Sequence, residues 1–167
     1  MPRPDHLLVP MSARRARLSN VGHIEVGAVD ERDSSWEDSA PRFRVYLHSS
    51  GAQTTYGSTW TFDIIGADVL QVIDWAQRQA GDQLTYAVAL VRHDAEEERR
   101  NPGHARGLVW LVGMDGNDTT EDSAQERAIQ ERMLARRAHP VVVPPADAMP
   151  VGVPGPFSDG GDMRPEV

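Results

Sequence analysis

Polar side chains that could do chemistry stand at every second position of three neighbouring segments of this chain. A period of two places side chains on one face of a β-strand. If adjacent strands pair as hairpins, arginine, tyrosine and carboxylate groups share a sheet face that could bind an anionic ligand or a protein partner. An ordinary solvated face with cross-strand charge pairs is the alternative. The predicted binding face consists of Arg42, Arg44, Tyr46, His48, Thr59, Thr61 and Asp63, with His23 and Glu25 beside them.

Trp75 is the last member of the predicted binding face. It lies off the apolar stripe that Val69, Ile73 and Ala76 form at helical spacing, so we expect its side chain to be exposed. Exposed tryptophan is favoured where binding energy concentrates in protein interfaces.

A second group of candidate residues has the ligand spacing of a calcium loop. Residues 115–126, DGNDTTEDSAQE, carry oxygen-bearing side chains at loop positions one, three, five, seven, nine and twelve. Thr120 occupies the place where the sharp turn requires glycine, and Asp118 with Glu121 fits a helix cap instead. We therefore expect no metal and no cofactor. The candidate ligands are Asp115, Asn117, Thr119, Glu121 and Glu126, with Ser123 at the ninth position.

Histidines and acids in the segment 93–104 give a third candidate. His93 and His104, together with Asp115 and Asp118 at one end of a sheet, could support a metal-assisted hydrolase. A solvated charge run on a mobile loop explains the same residues. The chain has no Gly-x-Ser-x-Gly elbow, His-Glu-x-x-His pair, Gly-x-Gly-x-x-Gly turn or P-loop, so the sequence favours a non-enzymatic protein.

Two residue types are missing from the 167 residues. Without cysteine there are no disulfides, thiolate nucleophiles or cysteine metal sites. All 17 basic residues are arginine, which excludes lysine Schiff-base chemistry. Arginine in place of lysine is typical of GC-rich coding, as in actinobacterial or phage sequences.

The net charge of −8 is unevenly distributed. Between residues 21 and 122, 18 acids face eight arginines, whereas residues 1–20 hold four arginines and one acid. Phosphate contacts need cations, so we expect no binding to duplex nucleic acid. No apolar run reaches the length of a membrane helix, which predicts a cytoplasmic protein without membrane contact.

The hydropathy pattern predicts an α+β fold with a mostly antiparallel five-stranded sheet. The helix near residues 67–80 packs on one sheet face and ends at Gly81. A second helix runs from Thr119 or Thr120 to about Ala138 and has a thin apolar stripe. The order is β-β-β-α-β-β-α, with strands at His23–Val29, Arg42–His48, Ser58–Ile65, Leu84–Arg92 and Gly107–Gly113.

The domain plan follows from these elements. We predict a flexible basic arm over 1–20, an α+β domain over 21–118, a C-terminal helix over 119–138 and a disordered Pro/Gly-rich tail over 139–167. The last two strands are apolar on both faces, which is typical of central strands.

These observations favour a small soluble binding or accessory protein that acts through protein–protein contacts. Self-association is one form of this hypothesis, with the basic arm or helix of one copy on the acidic core of another. The alternatives are the metal-assisted hydrolase and an acidic mimic of nucleic acid that inhibits a DNA-binding protein.

Overall fold

The computed structural model describes residues 24–120 and 123–156. The predicted arm over 1–20 and the end of the tail, 157–167, lie outside the described residues. No helix in the described part of the chain has both the length and the apolar character needed to cross a membrane. The helices and strands are β1 (Arg42–Ser50), β2 (Gly57–Ile65), α1 (Val69–Ala80), β3 (Thr85–His93), α2 (Ala95–Arg100), β4 (Arg106–Val112) and α3 (Ala124–Ala135).

The fold is α+β, as predicted, and its sheet is antiparallel with the strand order β2-β1-β3-β4. The sheet has four strands rather than five among the described residues, and the order is β-β-α-β-α-β-α. The prediction of a first strand at His23–Val29 is wrong for 24–29, which form no strand and expose Ile24, Val26 and Val29 by 80% or more. Period-2 alternation shows that a segment can pair, but pairing also requires a free edge within reach.

The main core lies between α1 and one face of the sheet. Asp68 is the N-cap of α1, and with Gln71 it forms a reciprocal capping box. Gly81 ends the helix at φ 56°, where a residue with a Cβ would be strained. The buried side chains that α1 contributes are Val72, Ile73, Trp75, Ala76 and Ala80, and those of the sheet are Phe43, Val45, Leu47, Tyr86 and Val88.

The connection between β3 and β4 is more regular than predicted. Where the sequence suggested a charged mobile loop, α2 forms over six residues, and the Asp94 side chain caps it by accepting from the N–H groups of Glu96 and Glu97. β4 also differs from its prediction as a central strand, since it is an edge strand that keeps Val109, Trp110 and Leu111 37–45% exposed.

The opposite face of the sheet, which we call the outer face, is partly covered by α3. This helix begins after Ser123, whose hydroxyl accepts from Glu126 N–H, so the predicted cap at Asp118 is wrong. Met133 is the buried residue of α3 and packs with Ala87 and Met114. The thin apolar stripe predicted for this helix matches that small contact.

Residues 140–156 differ from the disordered tail that their proline content suggested. They run along α1, and Met149 is buried in the main core. Trp75 Nε1 donates to Pro154 O at 3.2 Å, Arg78 Nη2 donates to Met149 O at 3.0 Å, and Asp74 accepts from Met149 N at 2.9 Å. Proline-rich composition predicts a lack of internal hydrogen bonds, which leaves a segment free to bond to a neighbouring helix.

Candidate functional site

The strand register brings most of the predicted binding face together. Arg44 stands opposite Asp63, Tyr46 opposite Thr61, and His48 opposite Thr59. Arg42 pairs with Ile65 at the end of the same face. The predicted residues of β1 and β2 therefore share the outer face, and the remaining question is which of their polar groups are available to a partner.

An ion-pair network occupies the carboxylate of this face. Arg44 Nε donates to Asp63 Oδ1 at 2.7 Å and Arg44 Nη2 to Asp63 Oδ2 at 3.1 Å, and Arg42 Nη1 lies 3.5 Å from the same carboxylate. The hydrogen bond from Arg44 is the largest cause that lowers the pKa of Asp63. Both oxygens of Asp63 are engaged, so the network holds β1 to β2, while the Arg42 side chain stays 40% exposed.

His48 is fully buried and acts as a structural residue. Its Nε2 accepts from Gly116 N–H at 3.4 Å, so Nδ1 carries the proton that is shared with Thr59 Oγ1 at 3.0 Å. Burial lowers the pKa of His48, and Asp115 offsets part of that effect. The neutral ring is therefore a bridge between β1, β2 and the loop after β4, and it does not face a ligand.

Tyr46 lies in an aromatic row under α3. Its ring stacks beside His48 at 6.2 Å and is tilted against Trp110 at 5.2 Å. Ile129 of α3 packs in the same cluster. Tyr46 is therefore half-buried, whereas Thr59, Thr61, Asp63 and Ile65 on the neighbouring strand are exposed.

Trp75 does not belong to the binding face, and the prediction that it is exposed is wrong. Its side chain is 5% exposed and meets Phe62 edge-on at 5.8 Å. Trp75 is buried although it lies off the apolar stripe, because α1 is covered on two sides, by the sheet and by residues 140–156. A helical wheel identifies the side that faces one layer and cannot show a second.

Two of the predicted calcium ligands, Asp115 and Asn117, make hydrogen bonds within the chain that hold the loop after β4. Asn117 binds both backbone groups of Gly57, with Nδ2 donating to its O at 3.0 Å and Oδ1 accepting from its N at 2.8 Å. Asp115 accepts from Asn117 N at 2.9 Å, and Thr119 is exposed. Glu126 lies in the first turn of α3, and Glu121 lies outside the described residues.

The candidates for hydrolysis are divided between two ends of the sheet. His93 ends β3 and His104 precedes β4, whereas Asp115 and Asp118 follow β4 at its other end. The seven residues of β4 separate the pairs by roughly 20 Å. Within the described ranges, no three His, Asp or Glu side chains are close enough to hold a metal ion.

The structure shows one surface that the sequence reasoning missed, the outer edge of β4. Along RGLVWLV no charged residue follows Arg106, and no described strand pairs with this edge. The charge-free run between Arg106 and Asp115 was the signal available in the sequence, but the edge position depends on strand order, which the pattern does not give. This edge forms what we call the β4 surface, made of Leu108, Val109, Trp110 and Leu111.

Comparison of the chain with family models, with curated proteins and with solved structures found no match.

Proposed function

We propose that this chain is a small binding protein that acts through protein–protein contacts, and that it binds by adding a strand to the outer edge of β4. The observation that carries the proposal is the exposure of Val109, Trp110 and Leu111 on an unpaired strand edge. Such an edge presents a row of N–H and C=O groups, and an extended segment of another chain can pair with them.

The two edges of the sheet differ in a way that supports this choice. At β2, Asn117 occupies the backbone groups of Gly57, and Asp63 is held by two arginines. Charge and side-chain cover are devices by which proteins block unwanted strand pairing. β4 has only a bulge near Val88 and Ala89 of its partner strand and carries no charge beyond Arg106.

A second copy of this chain offers an occupant of suitable chemistry. Residues 24–29 have strand periodicity, and Ile24, Val26 and Val29 are 87%, 96% and 80% exposed. Exchange of this segment between two copies would give each β4 an antiparallel or parallel neighbour and would bury apolar groups on both sides. A seven-residue edge is smaller than a standard interface of about 800 Å² per partner, so we expect a dissociation constant on the order of micromolar.

Sedimentation velocity over a concentration series tests the proposal. We expect dimers that dissociate on dilution, and we expect Val109→Lys to shift the equilibrium to monomer because it adds a charge to the edge. Thr61→Lys adds the same charge on β2 and is the matched control, expected to dimerise as the parent does. A monomer at several hundred micromolar would contradict self-association.

A peptide of residues 23–30 tests whether this segment, rather than another one, pairs with the edge of β4. If the exchanged segment is the ligand, the labelled peptide binds the parent and not Val109→Lys, and a scrambled peptide binds neither. If the parent stays monomeric and does not bind the peptide, strand addition from this segment is contradicted.

The other two hypotheses have weaker support. The candidate hydrolytic residues lie at opposite ends of β4. Several acids that a nucleic-acid mimic would present to a partner are engaged within the chain, since Asp68 and Asp94 cap helices and Asp63 and Asp74 pair with arginine. The cytoplasmic location expected from the sequence remains part of the proposal.

A further inference from the structure

A cavity of about 190 Å³ lies at the end of the sheet where β3 begins, between the last turn of α1 and the end of α3. One water molecule occupies about 30 Å³ in the liquid, so the cavity has room for roughly six water molecules. It is unrelated to the β4 surface. Its lining residues are Gln77, Gly81, Leu84, Tyr86, Met133, Arg136, Arg137 and Pro140.

Three buried polar atoms without a hydrogen-bond partner belong to residues that line this cavity. They are Tyr86 Oη, Arg136 Nη1 and Arg137 Nε. Tyr86 is 3% exposed, and its hydroxyl is thus removed from bulk water. Leaving one buried donor unsatisfied costs about 1–3 kcal/mol, and more for a charged group. Three such groups around one space indicate that something polar fills it.

The orientation of Arg137 is fixed by its other nitrogens. Nη1 donates to Gly51 O at 2.9 Å and Nη2 to Ser50 O at 3.2 Å, so the guanidinium is held against the β1–β2 hairpin. Nε remains as the donor without a partner. A donor held by other bonds pays little entropy when a ligand binds.

The charge of the cavity is positive. Its lining has two guanidinium groups and no carboxylate. Burial lowers the pKa of Arg137 and raises the pKa of Tyr86, and the nearby Arg136 charge offsets part of the shift of Tyr86. Two helix C-termini lie here, each equivalent to about half a negative charge, so they cancel only about half of the charge of the two arginines.

We propose that this cavity binds a small oxyanion, the phosphate or carboxylate group of a ligand, through Tyr86, Arg136 and Arg137. An oxyanion has enough lone pairs to accept from three donors, and hydrogen bonds to a charged acceptor are stronger than those to water. Arginine presents its N–H groups in a geometry that matches both oxyanion types.

Thermal unfolding and titration calorimetry with phosphate, acetate and chloride at equal ionic strength test this site. We expect phosphate or acetate to raise the melting temperature above the chloride value. The anion that does so identifies the group, and equal melting temperatures in all three salts would overturn the proposal.

Three variants test whether the anion binds in this cavity. Arg136→Gln removes one cation and is expected to weaken anion binding about tenfold or more, the equivalent of a charged hydrogen bond. Tyr86→Phe removes the hydroxyl without a partner, so we expect weaker anion binding with no loss of stability in chloride. Arg132→Gln, on the exposed side of α3, is the control and should bind as the parent does. Anion stabilisation that survives both Arg136→Gln and Tyr86→Phe would place it elsewhere and overturn the proposal.

A crystal soak covers the case in which a variant fails to fold. Parent crystals soaked in phosphate or acetate should show the anion between Tyr86 Oη and Arg136 Nη1. Only water at that position would overturn the proposal.

Discussion

His48 shows how burial decides what a titratable side chain does. It is 0% exposed, its ring nitrogens are bonded to Thr59 and Gly116, and its pKa is lowered. Protonation on Nε2 would lose the bond from Gly116 N–H and would place a charge at a buried position. The residue is therefore a source of pH-dependent stability.

The first prediction concerns how the stabilisation from His48 changes as pH falls. Because the folded-state pKa lies below the unfolded value of about 6.5, the unfolded chain binds the proton more readily, and the contribution of His48 declines as pH falls below that value. We expect the free energy of unfolding in urea to decrease from pH 7 to pH 5. His48→Gln should flatten this dependence, and an unchanged slope would contradict the assignment.

A second prediction concerns Asp63, whose pKa is lowered by Arg44. A lowered folded-state pKa means that the stabilisation is complete above the unfolded value of about 3.9 and is lost as pH falls through the folded value. Since Asp63 is partly exposed, we expect Asp63→Asn to cost about 1 kcal/mol or less at pH 7. Urea unfolding should show that difference unchanged at pH 5 and decreasing as pH is lowered below about 3.9.

For single residues, the sequence predicted on which face of the sheet a side chain lies, but not what that side chain does. Period-2 alternation placed Arg44, His48 and Asp63 correctly on one face. It could not show that His48 is buried, because the loop that covers it comes 68 residues later in the chain. The cavity arginines were missed for a similar reason, since Tyr86, which lines the same cavity, lies on another element.

Among the elements, the loop after β4 is joined to the β1–β2 hairpin by side chains. Asn117 makes three hydrogen bonds, two to Gly57 and one to Thr59 Oγ1 at 3.0 Å. Thr55 Oγ1 donates to Gly116 O at 2.8 Å. Gly116 has no room for a side chain, because a Cβ there would lie 2.7 Å from Thr55 O.

Asn117→Ala is the third prediction. It removes three hydrogen bonds, each worth about 1 kcal/mol net, so we expect a loss of about 2–3 kcal/mol in chemical unfolding. Thr119→Ala, at an exposed position of the same loop, is expected to change stability by less than about 0.5 kcal/mol. Equal effects of the two variants would mean that the loop is not held by Asn117.

The fourth prediction tests the packing of residues 140–156 on α1. Met149 is 6% exposed in the main core, whereas Val142 is 91% exposed. Met149→Ala should therefore destabilise by about 2–5 kcal/mol and Val142→Ala by very little. Thermal unfolding of both variants measures the contrast, and a harmless Met149→Ala would show that this segment does not dock.

The sequence predicted elements best where their signals were local. The end of α1 at Gly81 follows from residues within the element, and its true N-cap, Asp68, lies one residue from the predicted start. The strand predicted at 23–29 was wrong for residues 24–29 because periodicity does not show whether a partner edge lies within reach of the segment. The position of β4 at the edge depends on strand order, which local periodicity does not predict.

For the whole molecule, the salt dependence of the dimer affinity distinguishes two modes of self-association. Each copy carries a net charge of −8, so copies repel one another at low ionic strength. Pairing of strands at β4 uses apolar and backbone groups, and its only charge effect is this repulsion. Attraction between a basic arm and an acidic core would instead be screened by salt.

The fifth prediction follows from that difference. If β4 pairs, sedimentation equilibrium should give a tighter dimer at 0.5 M than at 0.05 M NaCl. Weakening with salt would contradict pairing at β4 and would favour the basic arm as the contact.

The bonds between Asn117 and Gly57 have a consequence for amide hydrogen exchange. Gly57 N–H lies in an edge strand, and edge amides that point to solvent exchange readily. Here the N–H donates to a side chain 60 residues away at 2.8 Å, so its exchange requires the loop after β4 to detach. The exchange rate of this one amide therefore reports how often the two distant parts of the chain separate.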